Sequence, residues 1–181
     1  SKMQGRAGKM PKGFRDSIPV SLIMTTSPFS MSRTKRAPMI SSAQVSALRT
    51  DQIQRISGIN LAAMGTDQIS AWSGEQIAAL TGPQISRLTT TQVSNLNTSQ
   101  VNAIETSDVT WLSADQLNVL STAQVSAIST DQVVALTGRQ INALGVDQFA
   151  AFDSDKIVAL TSNQFKFLKS DQLGALSATQ T

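Results

Sequence analysis

From Ser41 onward the chain repeats every eight residues without insertion or deletion. Seventeen complete octads run from Ser41–Leu48 to Lys169–Leu176, and a partial copy, Ser177–Thr181, follows. A short fixed period confines a chain to solenoid-like arrays, because one unit cannot bury its own apolar face and must lean on its neighbours. The consensus reads Ser/Thr at position 1, Thr/Ser/Gly at 2, any residue at 3 and Gln at 4. Val/Ile then stands at 5, a small or polar residue at 6, Ala at 7 and Leu/Ile at 8.

Positions 5 and 8 are apolar in all seventeen full octads, from Val45 and Leu48 to Leu173 and Leu176. A spacing of i and i+3 puts two side chains on one side of a helix, whereas a strand would alternate. One continuous helix fails, because eight residues advance the apolar pair by about 80° per octad and the stripe would wind around the rod. The chain must therefore turn between octads.

Position 1 supplies the turn. It is Ser or Thr in eleven of eighteen copies, and Gln follows three residues later in fifteen of eighteen. Ser/Thr-x-x-Gln is a capping box, in which the hydroxyl accepts from the third helical amide and the glutamine reaches back to the N-cap amide. Acids gather at position 3 (Asp51, Asp67, Glu75, Asp115, Asp131, Asp147, Asp155, Asp171), beside the positive end of a helix dipole. Pro83 shares that position, where its missing amide proton costs nothing. Each octad thus reads as a helix of about seven residues joined to the next by a one-residue corner. Isolated helices shorter than about 12–15 residues are marginal at best, so only stacking holds them. The fold class expected is all-α: a solenoid or superhelix of very short capped helices, apolar positions 5 and 8 inward, positions 3 and 6 outward. A 16-residue helical-hairpin solenoid is the nearest competitor, but adjacent octads show no odd/even alternation. A β-solenoid is poorly served by Ala, Gln and Asp.

Residues 1–40 stand outside the repeat and form a separate region from the array at 41–181. They hold Gly5, Gly8, Gly13, Pro11, Pro19, Pro28 and Pro38 and read as an extended or disordered arm. Charge divides at the same boundary: eight Lys/Arg against Asp16 give +7 in the arm, and seven bases against eleven acids give −4 in the array. The apolar stretch Ile18–Met24 is strand-sized, contains Ser21, and lacks both the length of a membrane span and a convincing signal cleavage site.

The chain contains no Cys, His or Tyr. That excludes disulfides, zinc held by Cys or His, and histidine acid–base chemistry. No glycine-rich phosphate loop is present, and the serines have no histidine to activate them. The position-3 acids are better read as helix-start stabilisers than as a calcium column, and the position-2 threonines as helix-terminus residues rather than a ligand array. Trp72 and Trp111 read as core or seam fillers. The expectation is a non-enzyme with no cofactor, no metal, no small-molecule substrate and no nucleic-acid partner.

The stretch Ser129–Leu136 resembles the start of the repeat in transcription-activator-like effectors. The second helix, the longer period and the base-reading dipeptide of that family are missing, so DNA recognition is not implied. Leu88–Leu96 (LTTTQVSNL) and Leu120–Ile128 (LSTAQVSAI) are similar to the Leu-Thr-Thr-x-Gln-Val-x-Ala-Leu octapeptide arrays of large bacterial exported, adhesin-like proteins. That resemblance extends over Ser41–Thr181 and implies a secreted or cell-surface structural or binding module, with a cytoplasmic location as the alternative.

The terminal octads keep Val45, Leu48, Leu173 and Leu176 as apolar as any middle copy, without the polar caps that monomeric solenoids use. Such a stack is expected to be continued by another copy, head to tail, into a filament. Ile18, Val20, Leu22 and Phe29 of the arm, with Val45, Leu48, Leu173 and Leu176, are the candidate self-assembly residues. The alternative is a monomeric secreted binding module or effector that presents its solenoid surface to a partner.

Overall fold

A computed structural model of the chain describes residues 41–176, all within one compact unit. The expected arm at 1–40 lies outside the described residues. Among those described, sixteen α-helices run from α1 (Ser42–Ser46) to α16 (Ser170–Gly174), one per octad except the ninth, Glu105–Leu112, which forms a 3-10 turn at Val109–Trp111. The all-α superhelix is what the octad period predicts.

The helices are shorter than expected. They span four to six residues, as in Thr50–Ile53 and Gly58–Ala63, against the seven inferred from the caps. The reason is the way each one ends. The position-8 amide donates to the position-5 carbonyl in every octad, at 3.0–3.3 Å, closing a tight three-residue turn. Positions 8 and 1 are then extended, as in Met64 (φ −67°, ψ 144°) and Gly65 (φ −71°, ψ 157°). The corner takes two residues rather than one, and the position-8 carbonyl is left pointing away from its own helix.

Octads do not pack mainly on their sequence neighbours. The principal contacts join octads three apart, as in α1 with α4 (Thr66–Ser70) and α13 (Val146–Ala150) with α16. Side-chain hydrogen bonds between turns span 25, 28, 30 or 31 residues. One superhelical turn therefore takes between three and four octads. Positions 5 and 8 fill the interior as one continuous apolar cluster from Val45 to Leu160. The interior is close-packed: around Val93, Leu117 and Leu136 the free space is about 10 Å³, too little for a ligand. Trp72 belongs to this core, 3 % exposed.

Size pairing locks the turns in phase. Position 2 of one octad faces position 7 of the third octad along, 29 residues later. The ring of Trp111 lies over Gly82 and that of Phe167 over Gly138, so close that a Cβ on either glycine would sit within 2.3 Å of a ring carbon. Where position 7 is alanine, position 2 is free to carry a side chain, as in Thr98 opposite Ala127.

Candidate functional site: the stacking surfaces of the superhelix

The glutamine at position 4 does more than cap its own helix. Its Oε1 accepts from the N-cap amide at 2.7–3.0 Å in every octad that carries it from Gln44 to Gln172, including those starting at Gly65, Arg49 and Lys169, where no N-cap side chain bonds the helix. Its Nε2 faces the opposite way. Gln100 donates to Ile69 O at 3.0 Å and Trp72 O at 2.9 Å, residues 31 and 28 positions earlier. The same pair of bonds recurs at Gln76, Gln84, Gln92 and Gln116, and on to Gln172 with Ile141 O and Leu144 O.

Each amide thus joins the start of one helix to the end of another a turn away. The position-8 carbonyl belongs to the unsatisfied C-terminal set of a helix, the position-5 carbonyl accepts from the position-8 amide and keeps a second lone pair, and the glutamine amide protons reach both. Both donors and the acceptor of the carboxamide are used, which explains how glutamines only 1 % (Gln100) or 0 % (Gln172) exposed are tolerated in the wall of the core. Sequence reasoning identified the cap and missed this second role. One signal was available: a capping box accepts Glu as readily as Gln, and Glu suits the helix dipole better. Yet no octad has Glu at position 4. Only the need for a donor removes it.

Three octads depart from the rule. Asn60 replaces the glutamine in the third. Asp108 replaces it in the ninth, where it accepts from the backbone amide of Gly82 and where burial holds its carboxyl above the usual range. Too short to reach back to its own helix start and unable to donate when ionised, it leaves only a 3-10 turn. Lys156 replaces glutamine in the fifteenth octad, buried, with Nζ 2.5 Å from Asp153 Oδ2. That lysine holds the Asp153 carboxyl below its ordinary pKa.

The turn-on-turn surface is polar in the sense of direction. One face of every turn offers amide donors and the other offers carbonyl acceptors around an apolar centre, so the interface is heterologous. Near the C-terminal side of the described array, Phe165 and Leu173 are 44 % and 47 % exposed, although position 5 is 0–6 % exposed in every earlier octad. Phe167 lies beside them, 38 % exposed. On the opposite side Gln44 is exposed.

Of the residues expected at assembly faces, Leu173 is therefore exposed and Leu48 and Leu176 are half-buried. Val45 is fully buried by its own chain, because α4 and the Gln76 amide cover it. Phe165 takes its place as an exposed position-5 side chain. Ile18, Val20, Leu22 and Phe29 lie outside the described residues. Among the described residues there is no cluster of acids able to hold a metal ion, and no helix long and apolar enough to cross a membrane.

The ALTTAQ repeat family matches residues 60–90, 101–138 and 141–178, more than half of the chain. The chain belongs to that family. The ALTTAQ letters correspond to octad positions 7, 8, 1, 2, 3 and 4, so the family signature ends on the glutamine that joins the turns. No curated protein and no solved structure matches this ALTTAQ repeat chain.

Proposed function

We propose that this ALTTAQ repeat protein is a non-enzymatic structural element. Its superhelix stacks end to end with other copies into a filament, and its basic segment 1–40 contacts neighbouring subunits. The observation that supports this reading is the directional interface between turns. Every turn presents donors on one face and acceptors on the other, so a stack of turns has no built-in stop. Exposed Phe165 and Leu173 at positions that are otherwise buried supply the apolar part of such a joint. The resemblance to arrays of exported bacterial proteins supports a filament outside the cell or on its surface, with a cytoplasmic location as the alternative. Absence of His, Cys and Tyr from the sequence supports a role without catalysis.

Sedimentation and negative-stain microscopy of the full chain test the proposal. Concentration-dependent filaments are expected for the natural sequence, with loss of assembly and an unchanged helical spectrum for Phe165→Asp with Leu173→Asp. A single monomer boundary at every concentration would favour the monomeric binding module instead.

A further inference from the structure

Helices three octads apart touch, so the wall of the superhelix is divided into columns. One column comprises octads 3, 6, 9, 12 and 15: α3 (Gly58–Ala63) contacts α6 (Gly82–Ile85), which contacts the 3-10 turn Val109–Trp111. That turn contacts α11 (Thr130–Ala135), which contacts α14 (Ser154–Ala159). Three independent features fall on this column. All three departures from the position-4 glutamine, Asn60, Asp108 and Lys156, are here. So are the two most exposed large apolar side chains among the described residues, Ile59 at 84 % and Val158 at 82 %, with Trp111 at 50 % and Val134 at 45 % between them. The charge is here as well. Arg87 and Lys156 stand against Glu105, Asp108, Asp131, Asp153 and Asp155, which is −3 of the −4 carried by residues 41–181.

Solvent-facing positions in the other octads are mostly Ser, Thr, Asn, Ala or charged residues, so an apolar and acidic stripe along one column is not a by-product of the repeat. Exposed apolar groups beside a net negative charge mark an interaction surface for a segment of the opposite sign. We infer that this column is the docking surface for the basic segment 1–40 of a second copy, an inference that rests on the proposed contact between that segment and neighbouring subunits. That segment carries a net +7. Its apolar side chains Ile18, Val20, Leu22 and Phe29 are of the kind that cover Ile59, Trp111, Val134 and Val158. A rod decorated along its length in this way joins subunits laterally, whereas the turn-on-turn joint acts only at the ends.

Photo-crosslinking of the full chain tests the inference. A photoreactive amino acid is placed at Val134 or, in a second protein, at Val158; both are solvent-exposed, so neither disturbs the core. Each protein is mixed with an isotopically heavy copy. Light-to-heavy crosslinks that map to residues 12–36 are expected from both positions. Their yield should fall at least about fivefold in high salt or on reversing charge with Glu105→Lys and Asp131→Lys, because exposed charge pairs are screened beyond roughly 10 Å at moderate ionic strength. Crosslinks confined to light chains, crosslinks to another region of the heavy copy, or none from either position would overturn it. Failure of the filament reading is separately visible: the natural chain then forms no end-to-end filaments by negative stain and is indifferent to Phe165→Asp with Leu173→Asp, while these crosslinks remain.

Discussion

Replacing Gln100 with glutamate separates the two roles of the position-4 side chain. The substitution is nearly isosteric, and Oε1 still accepts from the Asn97 amide, now 2.9 Å away. What disappears is the donor to Ile69 O at 3.0 Å and to Trp72 O at 2.9 Å, in a side chain 1 % exposed. A carboxylate cannot remain ionised between two carbonyl oxygens, so it takes up a proton. With an ordinary pKa of about 4.3, that costs about 3.7 kcal/mol at neutral pH. The protonated acid restores one of the two donors, and the missing hydrogen bond costs about 1 kcal/mol more. The expected loss is therefore about 4–5 kcal/mol at neutral pH.

The sign with pH follows directly. The introduced acid has a folded pKa above its unfolded one, so the penalty grows as pH rises between the two and is nearly absent below the unfolded value. Near pH 4 the defect relative to the natural chain should shrink to about 1 kcal/mol. Urea unfolding followed by far-ultraviolet circular dichroism at both pH values measures this, with the slope checked for loss of cooperativity. Gln44→Glu is the internal control. It keeps the same local capping bond at 2.8 Å, is exposed, and should change stability by less than about 0.5 kcal/mol. Equal effects of the two substitutions at neutral pH would refute the cross-turn role of the amide.

Gly82→Ala places a Cβ 2.1 Å from Trp111 Cδ1 and should cost about 1–3 kcal/mol in unfolding experiments, recovered in the double variant with Trp111→Ala. Gly74→Ala meets only the Ala103 methyl at 3.4 Å and should instead stabilise, by up to about 1 kcal/mol, through helix propensity. Lys156→Gln restores the ladder in the fifteenth octad and should raise stability by about 1 kcal/mol, read from the denaturation midpoint. Asp108 is held above the ordinary carboxylate range by burial, so its contribution to stability falls as pH rises from the unfolded value through the folded one. Asp108→Asn should flatten that part of the pH–stability curve, measured by thermal unfolding across the acid range.

Much of the architecture is legible because the forces that start a helix are local. Ser121, Gln124 and Ala123 lie within one turn of each other, so a hydroxyl, an amide and a small residue at fixed spacing announce a cap wherever they recur. The i, i+3 apolar pair announces the inward face on the same grounds. The candidate site is less legible. Val45 looks like an end residue from its place in the repeat, yet three-dimensional packing seals it. Phe165 looks like any position 5, yet it is exposed. Burial at these positions depends on which octads lie above them, and that depends on how far the chain rotates at each corner.

The octad alone determined that the chain is a stack of short capped helices with positions 5 and 8 inside. Tertiary structure alone decided that octads pack three apart, that helices stop after four to six residues, and that glutamine amides reach carbonyls 28 and 31 residues away. The physical reason is range. Capping energies act over three residues and leave their mark in every copy. Contacts between turns instead depend on side-chain volumes meeting across them, such as Trp111 on Gly82 and Phe167 on Gly138. That fit appears only once the turns are stacked.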